Sequence, residues 1–445
     1  MIYCFEGCVT MRKSIKTFIC LLGAALLLSG CSMRTVDEMY ALPKRSKDYS
    51  NLQAVMDNAM EGYEFCAPLS GENQQSVQMA DVDGDGEQEC IVFAKSSFEL
   101  PLRVLVFDRK DGGFYHTDTI ESNGTAFDQV EYIQMDDKPG VEMVIGRLIS
   151  DQLVRSVSVY TFATSEAVQL ISANYRKFVA VDMDVDGHNE LFVLRPGQVK
   201  TENGVAEFYS MENGVMERSN EVNISGPVEK LKRILVGKLH DEKIAVYVAS
   251  TVEDISLITD VFAKDGERLT NISLSDESGT SVETLRNYYI YADDMDDDGV
   301  VELPRLVGNG NGANQKDMIL WYAMDSQGNK TDKLYTYYDA AGGWYLELDK
   351  ALVDKITVNR QANVCEFYLW NQDSSAAQKL MTVYTLTGQN REEQSLTNGR
   401  FVLLKTDTVT YAASLDVAAA GCNITQQSLS DSFNLIHMDW NSGEM

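Results

Sequence analysis

Three nine-residue segments of this chain share one pattern of acidic side chains and a glycine, and this pattern restricts the fold more than any other feature. Each segment has aspartate at positions 1, 3 and 5, glycine at position 6 and glutamate at position 9. The segments are residues 81–89 (DVDGDGEQE), 182–190 (DMDVDGHNE) and 294–302 (DMDDDGVVE). Four carboxylates within nine residues repel one another unless a cation neutralises them. The pattern therefore predicts three bound divalent cations.

The oxygen-rich donor set favours calcium. Carboxylates at loop positions 1, 3 and 5 are ligands that Ca²⁺ takes, and the glycine allows the sharp turn between them. Position 7 varies, as expected if only its backbone carbonyl oxygen is a ligand. Mg²⁺ keeps several waters and is rarely held by an all-protein cage. The predicted ligands are Asp81, Asp83, Asp85, Glu87 and Glu89; Asp182, Asp184, Asp186, His188 and Glu190; and Asp294, Asp296, Asp298, Val300 and Glu302.

The segments are not EF-hand loops. An EF-hand has a bidentate glutamate at position 12, whereas this chain has Val92, Val193 and Arg305 there. In these segments the glutamate lies at position 9 instead. A single segment of this kind would also fit an acidic turn in solvent, but three matching segments favour the metal interpretation.

Short apolar runs flank the acidic segments. A run precedes each segment, at residues 77–80, 178–181 and 288–292, and another follows the first two, at 90–94 and 191–194. Strand, loop and strand form a β-hairpin, and continuous apolar runs are typical of strands covered on both faces. Pro304 interrupts the run after the third segment, and a proline is tolerated there only at an edge or a bulge.

At these loops the chain resembles the FG-GAP/VCBS repeat family, whose blades carry an Asp-x-Asp-x-Asp-Gly-x-x-Asp/Glu calcium loop between their first two strands. The resemblance is specific at the three segments and diffuse elsewhere. It implies a β-propeller in which calcium braces the blades and does no chemistry.

A repeat of about 50 residues is in the range of propeller blades. Its openings are residues 75–80, 127–133, 177–181, 228–236 and 287–292, and each is followed by three more strand-like runs. In the second and fourth repeats, residues 135–142 and 238–243 replace the acidic segment and lack the ligand set. We therefore expect a mainly β fold, with a propeller of about five four-stranded blades over residues 73–340. A small α+β domain is expected to follow at residues 341–445, with a helix over residues 426–436 that Thr425 can cap.

The N-terminus has the features of an export signal. Residues 11–16 are basic, and residues 17–28 are apolar but too few for an ordinary spanning helix. Residues 28–31, Leu-Ser-Gly-Cys, resemble the bacterial lipobox, which implies that Cys31 is lipidated. We expect a signal peptide over residues 1–31 with its true start at Met11, then a tether and short amphipathic helix over residues 32–72, with the helix at residues 51–60. The expected location is the extracytoplasmic face of the cell membrane.

The charge of the chain limits its partners. It has 67 acidic against 38 basic residues, and nucleic-acid binding depends on lysine and arginine at the phosphates. We therefore exclude nucleic acid and expect membrane contact only through the lipid, with the protein a monomer. The mature chain has no Cys-x-x-Cys pair, and a Cys66–Cys90 disulfide is left open by the sequence.

No catalytic motif is present in the sequence. The first hypothesis is a non-catalytic scaffold that binds a protein partner or a glycan. The second is a carbohydrate-active enzyme with carboxylates in the central channel, and the third is an envelope assembly or sensory lipoprotein. A cluster of aromatic residues at 321–345 could stack on sugar rings or belong to the core.

Overall fold

The computed structural model describes residues 47–97, 99–110, 112–150, 154–163, 166–197, 203–253, 255–307, 317–370 and 377–437. The predicted signal peptide, Cys31 and the tether as far as residue 46 lie outside these residues. Within the described ranges, none of the helices combines the length and the apolar character that crossing a bilayer requires.

The chain divides into two compact units. The smaller unit contains the residues up to Ala59 together with Lys110–Tyr115. Its described part includes helix α1 (Lys47–Ala59), which begins four residues before the predicted amphipathic helix. Within this unit the Asn51 side-chain oxygen accepts a hydrogen bond from the backbone nitrogen of Phe114 (2.5 Å).

The described residues form a series of antiparallel sheets in chain order, and apart from residues 110 and 113–115 of the first sheet these belong to the larger unit. The first is formed by β1 (Glu64–Phe65), β2 (Val77–Ala80), β3 (Glu89–Lys95), β4 (Leu102–Lys110) and β5 (Gly113–Ser122). The second is β6 (Ala126–Ile133), β7 (Glu142–Leu148), β8 (Arg155–Thr161) and β9 (Val168–Tyr175). The third is β10 (Lys177–Val181), β11 (Glu190–Arg195), β12 (Val205–Glu212) and β13 (Val215–Asn223). The fourth, preceded by a 3₁₀ turn (Val228–Lys230), is β14 (Leu231–Lys238), β15 (Ile244–Val252), β16 (Ser256–Asp265) and β17 (Arg268–Asn271).

Two further sheets complete the series. A 3₁₀ turn (Val282–Thr284) leads to the fifth sheet, which is β18 (Glu302–Leu306), β19 (Met318–Met324), β20 (Lys330–Asp339), β21 (Trp344–Leu348) and β27 (Phe433–Leu435). The sixth is β22 (Ile356–Gln361), β23 (Val364–Leu369), β24 (Gln378–Thr387), β25 (Phe401–Lys405) and β26 (Val409–Leu415). Helices α2 (Lys350–Val353), α3 (Arg391–Gln394) and α4 (Gln426–Asp431) and a 3₁₀ turn (Val417–Cys422) lie between these strands.

The hydrophobic core lies between successive sheets. Separate clusters join the first sheet to the second, the second to the third, the third to the fourth and the fourth to the fifth. Aromatic pairs mark these contacts; the ring centroids of Phe93 and Phe127 are 5.0 Å apart, and those of Phe192 and Phe262 are 5.3 Å apart. The second strand of a blade is therefore apolar on both faces. Four-stranded meanders packed face to face in chain order confirm the mainly β propeller fold.

The fifth blade departs from the prediction. The expected first strand at residues 287–292 is wrong, because that segment is not a strand; the isolated bridges next to it join Arg286 to Leu257 and Asp293 to Glu302. Strand β18 therefore forms the edge of the sheet. Pro304 lies within β18 opposite Trp321, and a proline, which has no N–H for the ladder, is tolerated in an edge strand.

The C-terminal segment shares a core with the fifth blade. Strand β21 pairs with β20 beyond residue 341, where the sequence placed the domain boundary, and β27 adds a further strand beside β21. One buried cluster contains Trp344 of the fifth sheet and Phe367 of the sixth. The predicted helix over residues 426–436 begins after Thr425, whose side chain caps it, but ends at Asp431. Phe433 is drawn into β27 because it stacks on Trp344, at 5.4 Å between ring centroids.

Candidate metal centres

The first two acidic loops connect the first and second strands of their hairpins, and the third leads into β18. Ala80 pairs with Glu89 and Val181 pairs with Glu190, so that the position-9 glutamate begins the second strand. Asp293 pairs with Glu302 in the same way, although only as an isolated bridge. The strand ends therefore hold each loop at both sides.

Each loop contains the same internal hydrogen bonds. The position-1 aspartate accepts a hydrogen bond from the backbone nitrogen of the position-6 glycine, at 3.1 Å for Asp81, 3.0 Å for Asp182 and 2.8 Å for Asp294. The position-5 aspartate accepts one from the position-7 nitrogen, at 2.8, 2.8 and 2.9 Å. The position-6 glycines have φ values of +89°, +95° and +85°, which glycine adopts without steric cost. Three loops with one geometry form one structural motif.

The loop backbone is also left-handed at position 4, where the residues are Gly84, Val185 and Asp297. Two of these are not glycine, so the sequence contained no signal for this conformation. The two left-handed residues turn the chain around the aspartates at positions 1, 3 and 5.

Carboxylate oxygens converge in all three loops. One oxygen from each member of a group lies within 4.8 Å of the others, so each group could hold a metal ion. The groups are Asp81, Asp83 and Asp85; Asp182, Asp184 and Glu190; and Asp294, Asp296 and Glu302. The predicted ligands are thus brought together in part.

The other predicted ligands lie beside these groups. Glu87 is exposed, and the side chain of Val300 is buried. The His188 ring faces the second blade, with Nε2 3.3 Å from Asp137 Oδ1 and Nδ1 3.5 Å from Asp186 Oδ1. The side chains at position 7 therefore have no common role in the three loops.

The position-9 glutamate is buried in every loop. Glu89, Glu190 and Glu302 are 2%, 5% and 0% exposed. In each case one carboxylate oxygen accepts a hydrogen bond from the position-2 backbone nitrogen, at 2.7, 2.9 and 2.9 Å. Glu142 makes the same bond to Met135 (3.1 Å) in the second blade, although that loop lacks the aspartates. This glutamate is therefore part of the hairpin itself.

The second carboxylate oxygen provides a test of whether the loops fit a cation. Oε1 of Glu89 and Oε1 of Glu302 are buried and have no hydrogen-bond partner. Burial raises the pKa of Glu89 to about 7 and the pKa of Glu302 to about 8. A buried acceptor without a partner loses its hydration uncompensated, which destabilises the fold. A cation among the aspartates would supply the missing interaction, so the residues fit a metal ion.

Two lysines from distant parts of the chain contact the second and third loops. Lys264 of β16 pairs with Asp184 and lies 3.4 Å from Glu190 Oε1. Lys333 of β20 lies 2.5 Å from Asp298 Oδ2 and 4.0 Å from Glu302 Oε1. Its hydrogen bond lowers the pKa of Asp298. Sequence reasoning missed both lysines, because no spacing rule relates residues that only the packing of strands brings together.

The first loop has a different electrostatic environment. Among the described residues, no lysine or arginine forms an ion pair with its aspartates or with Glu89. Burial raises the pKa of Asp83; the backbone N–H of Asp85 opposes this rise, and the carboxylates of Asp85, Asp108 and Asp81 add to it. Of the three loops, the first therefore depends most on an added cation.

Neighbouring loops touch one another on one side of the blades. A side chain at Gly84 would clash with the Pro139 backbone (2.2 Å) in the second blade's loop. The Asn189 nitrogen donates to Gln134 O (2.6 Å), and the Val301 nitrogen donates to Lys238 O (3.0 Å). We call this surface, residues 81–89, 135–142, 182–190, 238–243 and 294–302, the loop face.

The aromatic cluster belongs to the core. Trp321 and Trp344 are fully buried, and Tyr322, Tyr337, Tyr338 and Tyr345 are buried as well. Only Tyr335 of this group is partly exposed. Stacking of these rings on a sugar is therefore not available.

Cys66 and Cys90 are both free thiols. Burial raises the pKa of Cys90 to about 11, as for a small apolar side chain in a strand. The question that the sequence left open is thus answered against a disulfide.

Comparisons with known proteins bear on the fold. No protein-family model matches the chain, and no curated protein sequence does. A rhamnogalacturonan lyase of Bacillus licheniformis is 11% identical, covering 64% of this chain and 66% of that one, with a TM-score of 0.30. The Dos1 propeller is 8% identical over 79% and 81%, with a TM-score of 0.30. The β-propeller domain of the Trilobed protease from Pyrococcus furiosus is 11% identical over 69% and 78%, with a TM-score of 0.27. At these values the similarity assigns no activity, substrate or partner to this chain.

Proposed function

We propose that this protein is a lipid-anchored, extracytoplasmic β-propeller of the FG-GAP/VCBS type, whose three acidic loops bind calcium and which serves as a non-catalytic scaffold for a protein partner or a glycan. The main support is the pair of buried Oε1 atoms of Glu89 and Glu302, which have no hydrogen-bond partner and belong to loops whose carboxylates converge. Hard oxygen ligands on a flexible turn suit Ca²⁺ better than Mg²⁺.

Calcium in these loops would stabilise the blades. The first two loops join two paired strands, the third is closed by the single bridge from Asp293 to Glu302, and the position-9 glutamate of each loop begins the strand that follows. Two unit charges 4 Å apart repel by about 4 kcal/mol at an effective dielectric constant of 20. An ion that neutralises several such pairs would therefore strengthen the turn and the contacts between neighbouring loops.

A role in binding fits the positions of the residues. The aspartates are engaged in turn geometry by backbone N–H groups, which suits a brace. Loops of the first and second, the second and third, and the fourth and fifth blades touch on the loop face, and a propeller face of this kind is a ready docking surface. Because fold alone does not assign function, the scaffold role depends on the experiments below.

Removal of calcium should destabilise the protein. A ligand at about 100 times its Kd stabilises the folded state by about 2.7 kcal/mol per site, so chelation should lower the Tm by several degrees. Calcium should restore the Tm better than magnesium. Asp83→Ala and Asp184→Ala should each remove part of this response in thermal melts, because each removes a ligand.

Asp136→Ala is the matched control for these variants, since Asp136 lies in the second blade's loop, which lacks the ligand set. It should leave the calcium response unchanged. A Tm that responds neither to chelator nor to calcium would contradict the metal assignment of all three loops.

The lipid anchor is tested by Cys31→Ser. Without the thiol that would carry the lipid, the variant should be released from the membrane or remain unprocessed. Fractionation of cells that express either protein measures this directly. A variant that stays with the membrane to the same extent as the unmodified protein, with normal processing, would refute the anchor.

The non-catalytic role is tested on a panel of polysaccharides. We expect saturable binding to a glycan, or none if the partner is a protein, and no release of reducing ends or unsaturated products. Crosslinked pull-downs from an envelope fraction would then identify a protein partner. Turnover of a polysaccharide that is lost when channel carboxylates are replaced would contradict the scaffold proposal and favour the carbohydrate-active enzyme.

A further inference from the structure

A small cavity with a strongly basic lining lies in this acidic protein. Its volume is about 210 Å³, and it is lined by seven residues, of which five are lysine or arginine and none is acidic. The five are Arg155, Arg176, Lys177, Lys232 and Arg233. Because acidic residues outnumber basic ones by 67 to 38 in the whole chain, this concentration of positive charge is unusual for the molecule. We call it the basic pocket.

The basic pocket lies at the opposite ends of the strands from the loop face. Lys177 begins β10, and the acidic loop follows the last residue of that strand, Val181. Lys232 and Arg233 lie near the start of β14, whose far end, Lys238, contacts the third acidic loop. With about 3.3 Å of rise per residue, the five residues of β10 alone separate the two sites by roughly 15 Å. The pocket is therefore distinct from the metal centres.

Two of the arginines are held in place by carboxylates. Arg155 Nη1 donates to Asp128 Oδ2 (2.9 Å), while Arg155 Nε is buried and has no hydrogen-bond partner. Arg233 Nη2 lies 3.3 Å from Asp293 Oδ2. These contacts orient the guanidinium groups, and the Nε–H of Arg155 still has a hydrogen bond to donate.

The other three cations lack such partners. Within the described ranges, Arg176, Lys177 and Lys232 form no ion pair. Lys177 does lie near Glu131. Burial raises the pKa of Glu131, and the positive charge of Lys177 offsets part of that rise. The ion-paired Asp128 and Asp293 and the nearby Glu131 thus face five cations, and the pocket keeps an excess of positive charge.

We propose that the basic pocket binds an oxyanion group, a carboxylate, sulfate or phosphate, of a small ligand or of the end of a longer one. Guanidinium groups present parallel N–H donors that match such oxyanions in a bidentate fashion, and lysine adds a mobile point charge. The volume admits a single charged group. The negative charge over the rest of the protein disfavours anions elsewhere, so that binding is confined to this pocket.

The probes are sodium phosphate, sodium sulfate and trigalacturonate, each titrated into the full chain by calorimetry at low ionic strength with calcium present. At least one should bind saturably at one site, and its affinity should fall as potassium chloride is added. The probe that binds identifies the oxyanion: trigalacturonate alone indicates an acidic sugar, and phosphate or sulfate indicates that group.

The double variant Arg176→Gln/Lys232→Gln should weaken this binding by about tenfold or more, because each lost contact is a hydrogen bond to a charged group. Neither side chain has an ion pair to lose, so the Tm should stay unchanged. Arg268→Gln/Lys355→Gln is the matched control, since both residues are exposed and outside the pocket.

The control variant should bind like the unmodified protein. Absence of saturable binding for all three probes would overturn the inference, as would an affinity that the double variant does not change. Either result leaves the calcium loops unaffected, because their test is the response of the Tm to calcium.

Discussion

The buried position-9 glutamate is the contact through which each acidic loop is joined to its sheet. It starts the second strand, and one of its oxygens holds the backbone nitrogen at position 2. Glu142 does the same in a blade whose loop has lost the aspartates. The glutamate therefore serves the hairpin in every case, whereas the aspartates at positions 1, 3 and 5 create the negative charge that the proposed calcium would neutralise.

The three loops differ in the positively charged side chains that lie beside their carboxylates. Lys264 and Lys333 place an ammonium group beside the second and third clusters, which lowers the repulsion there before any ion binds. The first cluster has aspartates at three alternate positions and a buried glutamate, without a lysine beside them in the described part of the chain. In physical terms the first loop is the one whose folded geometry is hardest to explain without a bound cation.

Local patterns predicted the loops, the hairpins that contain them and the mainly β propeller, because position-specific glycine and apolar runs act over a few residues. Long-range packing determined the features that local patterns did not predict. The fifth blade has no regular first strand, although residues 288–292 are apolar, since Tyr291 and Ile290 are buried without joining a ladder. Phe433 lies in strand β27 beside Trp344 and not in the predicted helix. The lysines of the second and third loops likewise depend on contacts that no local spacing encodes.

The most direct test of the account is a calorimetric calcium titration near pH 7, repeated in two buffers that differ in ionisation enthalpy. Because the pKa values of Glu89 and Glu302 are raised to about 7 and 8 in the metal-free protein, part of each carboxyl is protonated at this pH, and calcium must displace that proton. The account predicts saturable binding of three ions per chain with release of protons, and less proton release as the pH is raised above about 8. Absence of saturable calcium binding, or binding without proton release that survives removal of the aspartates, would contradict it.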